Sequence, residues 1–174
     1  MVLLILNEAV LFASLVASYF YLRFNSPGWP QDGLERPELA LPIIGTILLV
    51  ASSFVMSWGE GGIRKGNVGR LRTGLAGAFI LGAVFLGVQL FEYTRTPFRP
   101  SDNVYASLFF AITGIHALHV TLGLLMNAFT QVRAGLGHFD AAHYQTVENI
   151  ALYWHFVDLV WLVIFASLYL SPYV

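Results

Sequence analysis

Five apolar runs of about twenty residues or more constrain this chain above anything else in it. They cover residues 2–22, 39–58, 71–93, 104–131 and 146–170. A hydrocarbon layer about 30 Å thick is crossed by about 20 apolar helical residues. Barrel strands need only about 10 residues of alternating polarity, and these runs are twice that length without alternation. The sequence therefore predicts an all-α polytopic membrane protein, a single membrane domain over residues 1–174 built as a bundle of five transmembrane helices. Composition agrees, with 57% hydrophobic and 11% charged residues and a mean hydropathy of +0.69. A soluble domain of this size needs far more polar side chains to cover its surface.

The breaks between runs carry turn chemistry: Asn25-Ser-Pro-Gly-Trp-Pro30, Gly59-Glu-Gly-Gly62, Thr96-Pro-Phe-Arg-Pro100 and Gly135-Leu-Gly-His-Phe-Asp140. Pro42 falls in the first turn of its helix, where its missing N–H costs little. Asp102 is placed to cap the fourth helix. Connections this short make sequential helices antiparallel neighbours. The first run lacks a basic leader and a small-residue cleavage site, so it reads as a span and not as a cleavable signal peptide. Within the third run Gly74, Ala78 and Gly82 recur at every fourth residue, a spacing that lets two helix backbones approach closely in lipid.

The basic residues divide almost evenly between the two sides. Arg64, Lys65, Arg70, Arg72 and Arg133 share one, and Arg23, Arg36, Arg95 and Arg99 the other. The dense cluster from Arg64 to Arg72 sets the N-terminus in the cytoplasm and the C-terminus outside. A net charge of −1 leaves no basic footprint for nucleic acid. The absence of cysteine excludes disulfides, thiolate zinc sites and cysteine-ligated iron–sulfur clusters.

Ionisable residues inside the spans each call for an account, because a charge at a helix centre costs about 2.5–3.5 kcal/mol on insertion scales. They are Glu8, Glu92, His116, His119, Glu148, His155 and Asp158. His116 and His119 sit three apart on one helix face. That pair supplies two metal ligands at most, both from one side, whereas a haem held by two histidines takes them from opposite faces. His155 or Asp158 could extend the set, but nothing in the sequence requires it. Two histidines hydrogen-bonded between helices is the preferred reading. His155 and Asp158 repeat the spacing, and an interhelical polar clamp is preferred to a catalytic pair because no nucleophile or cofactor motif accompanies them. Glu8 has three open readings: a proton-relay member, a partner to a buried histidine, or a contact to a lipid headgroup.

Five motifs stand in order along the chain. Asn7-Glu8-Ala-Val-Leu-Phe12 is similar to S-E-x-x-x-F, and Leu41-Pro42 opens the next helix. Gln89-Leu-Phe-Glu92-Tyr93 follows as Q-x-x-E-Y, then Gly114-Ile-His-Ala-Leu-His-Val120 as G-x-H-G-L-H-V. Glu148 precedes Tyr153-Trp-His-Phe-Val-Asp-Leu-Val-Trp161, which is similar to Y-W-H-F-V-D-V-V-W. By these motifs the chain resembles subunit III of the haem–copper terminal oxidases, in its five-helix bacterial form, along nearly its whole length.

That resemblance implies an accessory subunit of a proton-pumping cytochrome c oxidase, which reduces O₂ to water in the bacterial cytoplasmic membrane. Such a subunit has no catalytic or metal residues; haem and copper lie in subunits I and II. It packs mainly on subunit I, binds phospholipid in a cleft between its helices, and supports proton uptake and the integrity of the catalytic subunit. The resemblance puts the family's buried glutamate at Glu8, its histidine pair at His116 and His119, and its helix-five pair at His155 and Asp158. Arg133, His138 and His143 fall in the connection that binds headgroups in the family. Trp58 closes the second helix, and Glu60 follows where relatives carry a histidine-containing lipid contact. Glu8, Trp58, Arg133, His138 and His143 thus form the expected lipid-binding or buried polar set. Glu92, His116, His119, Glu148, His155 and Asp158 form the expected interhelical set.

Larger members carry two further helices upstream that wall the cleft. Met1 matches an internal methionine of the family, so the chain either starts late or lacks its N-terminus, and Glu8 lies deeper than its number suggests. Subunit III of a quinol oxidase is the alternative within the family. An independent metal-dependent membrane enzyme lacks a complete ligand set, and a transporter lacks its inverted repeats and broken helices.

Overall fold

Lipid cannot satisfy a peptide N–H or C=O, so each apolar run closes its own hydrogen bonds as a helix. The computed structural model describes residues 1–30 and 37–173; Arg36, counted above in the charge balance, lies outside the described residues. The helices are α1 (Val2–Phe24), α2 (Ala40–Ile63), α3 (Val68–Arg95), α4 (Val104–Gly135) and α5 (Gln145–Ile164). A π-helical turn over Phe165–Leu170 and a 3₁₀ turn over Ser171–Tyr173 continue α5. All five spans are long and apolar enough to cross a membrane, and the described residues contain no strand. The chain is an integral membrane protein. The α2–α3 and α4–α5 connections share one side, here the first side, and reverse at Gly66 (φ 73°) and Gly137 (φ 77°). The α1–α2 and α3–α4 connections and the C-terminal turn share the second side.

Three boundaries differ from the sequence reading. Helix α2 runs five residues past Trp58, through Gly59-Glu-Gly-Gly62, to Ile63. Those glycines are packing residues and not a turn: a Cβ on Gly59 would stand 2.9 Å from Gly74 Cα, and one on Gly62 2.6 Å from the Arg70 side chain. Helix α4 extends to Gly135, so Arg133 sits in its last turn and not beyond it. Asn103, not Asp102, caps α4, its side chain accepting from Ala106 N at 2.9 Å, while Asp102 accepts from Arg99 N.

The small-residue stripe of α3 divides between two neighbours. At Gly74 it meets the backbone of α2, with Gly59 Cα 2.5 Å from where a Cβ would stand. At Gly82 it meets an indole: the corresponding position lies 2.6 Å from Trp154, which also fills the space over Gly123. Trp154 and Trp161 are fully buried and tie α5 to α2, donating to Ser52 Oγ and Thr46 Oγ1 at 2.9 Å each. Helix α1 buries Phe12 and Tyr19 and leaves most of its remaining surface exposed.

Candidate functional site

Hydrocarbon offers a polar side chain no hydrogen-bond partner, so those at membrane depth turn to groups on their own or neighbouring helices. His119 lies near the midpoint of α4, about 24 Å from Gly135 at about 1.5 Å per residue. Its Nε2 is 2.9 Å from Glu8 Oε2 on α1, and its Nδ1 is 2.7 Å from Ile115 O. A carbonyl only accepts, so Nδ1 carries a hydrogen. Nε2 then either accepts from a protonated Glu8 or, on a protonated ring, donates to its carboxylate. Both arrangements leave the pair with no net charge, which is what mid-membrane depth favours. The link also sets Glu8 level with the centre of α4.

His116, one turn away, is different. Both its ring nitrogens are buried without a hydrogen-bond partner among the described residues. The ring is instead enclosed by Trp161 at 5.1 Å between centroids, Phe85 at 6.0 Å and Phe12 at 6.3 Å. The expected hydrogen bond between helices is therefore made by His119 and not by His116. Aromatic residues three and four positions along α5 and α1 occupy the space a polar partner would need.

A second polar group joins α5 to α2. Ser53 Oγ donates to Asp158 Oδ2, so it accepts from His155 Nδ1 at 2.9 Å. The remaining ring nitrogen, Nε2, then accepts from Ser57 Oγ at 3.1 Å. His155 and Asp158 thus meet through α2 hydroxyls. The sequence reading named neither Ser53 nor Ser57, although Thr46, Ser53 and Ser57 recur at helical spacing on α2. Near the second side, Glu92 Oε2 accepts from Gln89 Nε2 at 3.0 Å and from Tyr169 O–H at 3.1 Å, tying α3 to the π-helical turn. Among the described residues no three His, Asp or Glu side chains converge as a metal-binding group.

The first side carries the remaining candidates. Glu148 is not at membrane depth: it lies in the first turn of α5, with its side chain 40% exposed and 3.3 Å from Arg64 Nη2. Arg64 also holds Glu60 at 2.6 Å, so Glu60 is engaged by a cation. The hydrogen bond that Arg64 donates to Glu60 is the main cause that raises the Arg64 pKa above its ordinary value. Arg133 rests its guanidinium over Phe139 at 5.1 Å and Phe129 at 5.9 Å. His138 folds back on Arg133 O, and His143 Nδ1 stands 3.1 Å from Asp140 Oδ1. His143, then the N–H groups of Ala142 and His143, hold the Asp140 carboxyl below its ordinary pKa. Trp58 is half exposed beneath the Arg70 guanidinium, 4.7 Å from its ring, and its carbonyl accepts from Arg70 Nε at 2.8 Å.

Between α1 and α5 runs an apolar groove of about 470 Å³. Its walls include Ala9, Ala13 and Val16 on one side and Phe156, Leu159 and Val163 on the other, with Phe12 linking it to the Glu8–His119 pair.

The sequence is similar to known proteins along nearly its full length. A family model described as cytochrome c oxidase subunit III matches residues 1–173. The cytochrome c oxidase subunit 3 of Synechocystis sp. is 38% identical over 170 residues, covering 97% of this chain and 73% of the relative. That of Thermostichus vulcanus is 37% identical over 167 residues, covering 95% and 83%. That of Arabidopsis thaliana is 34% identical over 175 residues, covering 97% and 66%. With five spans in order and a match along essentially its full length, the chain belongs to the cytochrome c oxidase subunit III family.

Proposed function

We propose that the chain is the accessory subunit III of a proton-pumping cytochrome c oxidase. It packs on subunit I, stabilises it, shares the complex with subunit II, and leaves haem, copper and O₂ reduction to those partners. The observation that carries this reading is the family match over residues 1–173. Lipid binding is supported by the α1–α5 groove, whose apolar walls suit acyl chains. Arg133, with His138 folded on its carbonyl and His143 further along the same connection, is the headgroup cation, since a guanidinium at a helix end reaches the interface and binds phosphate in two places. The Glu8–His119 pair holds α1 against α4 and so keeps one wall of that groove in position. Proton uptake is supported by the exposed titratable groups of the first side, Asp140, His143 and Glu148 among them. The cluster Arg64, Lys65, Arg70 and Arg72 supports a cytoplasmic position for that side, in a bacterial inner membrane.

The test is purification of the chain with its native partners. Haem absorbance should accompany the complex and be lost from the isolated chain, and O₂ uptake should be driven by reduced cytochrome c. A complex without haem overturns the reading. Uptake driven by quinol alone reassigns the chain to subunit III of a quinol oxidase.

A further inference from the structure

Four of the described tyrosines are buried, and their phenols meet different partners. Tyr19 meets the Ser171 hydroxyl at 3.0 Å, Tyr105 donates to Leu168 O at 3.1 Å and Tyr153 to His119 O at 3.3 Å. A hydroxyl and two peptide carbonyls are poor proton acceptors. Tyr169 differs, because its O–H donates to Glu92 Oε2 at 3.1 Å. Gln89 Nε2 donates to the same oxygen at 3.0 Å, so that oxygen carries no hydrogen of its own and is placed to take one. The Tyr169 ring lies 6.1 Å between centroids from the buried indole of Trp161, and Phe109 and Phe165 pack against it at 5.4 and 5.9 Å. It sits in the π-helical turn Phe165–Leu170, and such turns occur mostly at functional sites. Glu92 in turn lines a hollow of about 130 Å³ beside the exposed Glu38 and Arg95, an outlet toward the second side.

We propose that Tyr169 is a redox-active tyrosine, giving up one electron through Trp161 and its phenol proton to Glu92. The Tyr169 O–H bond breaks, an O–H bond forms on Glu92 Oε2, and the phenol becomes a neutral phenoxyl radical. The electron passes to the Trp161 indole and on to a one-electron oxidant of the class that O₂ reduction at a metal centre generates, which is reduced by that electron. Phenols and indoles are the readily oxidised rings of a chain that has no cysteine. Removing the electron alone would leave a cation buried among apolar rings, which is costly. Losing the proton in the same event avoids that charge, and the Tyr169–Glu92 distance lies within proton-transfer reach. Tyr105 and Tyr153 are equally buried but have no such acceptor, so they would bear the cost. An oxidising equivalent that strays from the O₂ chemistry is thereby held as a neutral radical in a dry pocket, until a donor returns the electron and Glu92 the proton. The supply of that oxidant rests on the function proposed above; the phenol–carboxyl pair rests on its own geometry.

The test treats the purified haem-containing complex with hydrogen peroxide and freezes it for electron paramagnetic resonance, with a ring-fluorinated tyrosine in place of Tyr169. The analogue keeps the ring and its O–H, so the fold is preserved. The expected signal is a tyrosyl radical split by the fluorine nucleus. Glu92→Gln still accepts the hydrogen bond but cannot keep the proton, and should slow the appearance of that signal about a hundredfold, the low end of what a positioned base contributes. Trp161→Phe should slow it as well, and Tyr105→Phe should not. A tyrosyl signal without fluorine splitting, no tyrosyl signal, or a rate indifferent to Glu92→Gln overturns the inference and leaves the functional reading standing. If the chain purifies without haem, the functional reading falls, and photogenerated tris(bipyridine)ruthenium(III) then supplies the oxidant to the same preparation. A fluorine-split radical there upholds the phenol–carboxyl pair alone, and its absence overturns both.

Discussion

The crossing of α2 and α3 at Gly59 and Gly74 can be tested by adding a single methyl group. In Gly74→Ala the new Cβ would lie 2.5 Å from Gly59 Cα, 2.9 Å from Gly59 N and 3.1 Å from Val55 O. Carbon–carbon contacts settle at about 3.5–4.0 Å, so the two helices must part by about 1 Å at this point. Forcing a methylene into packed surroundings costs about 1–3 kcal/mol. Here every obstructing atom is backbone and none can rotate aside, so we expect the top of that range, about 3 kcal/mol. Gly82→Ala meets side chains, Trp154 at 2.6 Å and Leu124 at 3.1 Å, and should cost less, about 1–2 kcal/mol. Gly87→Ala meets nothing within 4 Å and should stabilise the helix by about 0.4–1 kcal/mol. Unfolding by sodium dodecyl sulfate in mixed micelles, followed by tryptophan fluorescence, gives the three free energies on one scale. If Gly74→Ala unfolds within about 0.5 kcal/mol of Gly87→Ala, the helices part freely and the close crossing contributes no constraint.

Three further outcomes follow from individual contacts. Ser53→Ala removes the hydroxyl shared by His155 and Asp158 and should cost about 1–3 kcal/mol in the same unfolding assay, with Ser53→Thr recovering most of it. Asp140 is held below its ordinary pKa, so its contribution to the α4–α5 turn is complete above the ordinary carboxylate range and is lost as pH falls through the lowered value. His143→Ala should therefore raise the Asp140 midpoint toward about 3.9, as read by NMR titration; an unmoved midpoint would refute the assignment of cause. Glu8→Ala should leave the oxidase assembled with unchanged haem spectra but slow turnover partially or shorten its active life; complete loss of O₂ reduction with haems intact would make Glu8 an essential relay.

The number and order of the helices were legible because membrane crossing depends on the length of apolar runs, which the sequence displays directly; their neighbours were only partly so, since α1 packs on α4 and α5 rather than on α2, the helix next to it in sequence. The ends of the helices were not legible. In water Gly59-Glu-Gly-Gly62 reads as a turn, since glycine costs a helix conformational entropy. In lipid the same glycines admit a second backbone and the Arg70 side chain, and α2 continues through them. Arg133 was displaced for a related reason, because Gly135 marks the end of α4 and not a loop already begun. Partners were the least legible part. Glu8, His119, His155 and Asp158 stood out as costly residues in apolar runs, whereas Ser53 and Ser57 did not. A serine in a span usually bonds its own helix, as Ser14 and Ser18 do, so its type gives no hint of a bond to another.

The arrangement of these partners bears on what the buried groups can do. Two polar chains cross the interior, Glu8 to His119 between α1 and α4, and Ser57 to His155 to Ser53 to Asp158 between α2 and α5. His116, three residues before His119 on α4, packs its ring on Trp161, three residues beyond Asp158 on α5. Its two nitrogens reach no partner among the described residues, and Phe12, Phe85 and Trp161 pack around its ring. Proton transfer needs an unbroken series of donors and acceptors within hydrogen-bond reach. Among the described residues no hydrogen bond joins the two chains, and each links a pair of helices. That separation suits groups that hold helices at fixed spacing beside an apolar groove, and it is the physical reason to expect a partial effect from Glu8→Ala and not an absolute one.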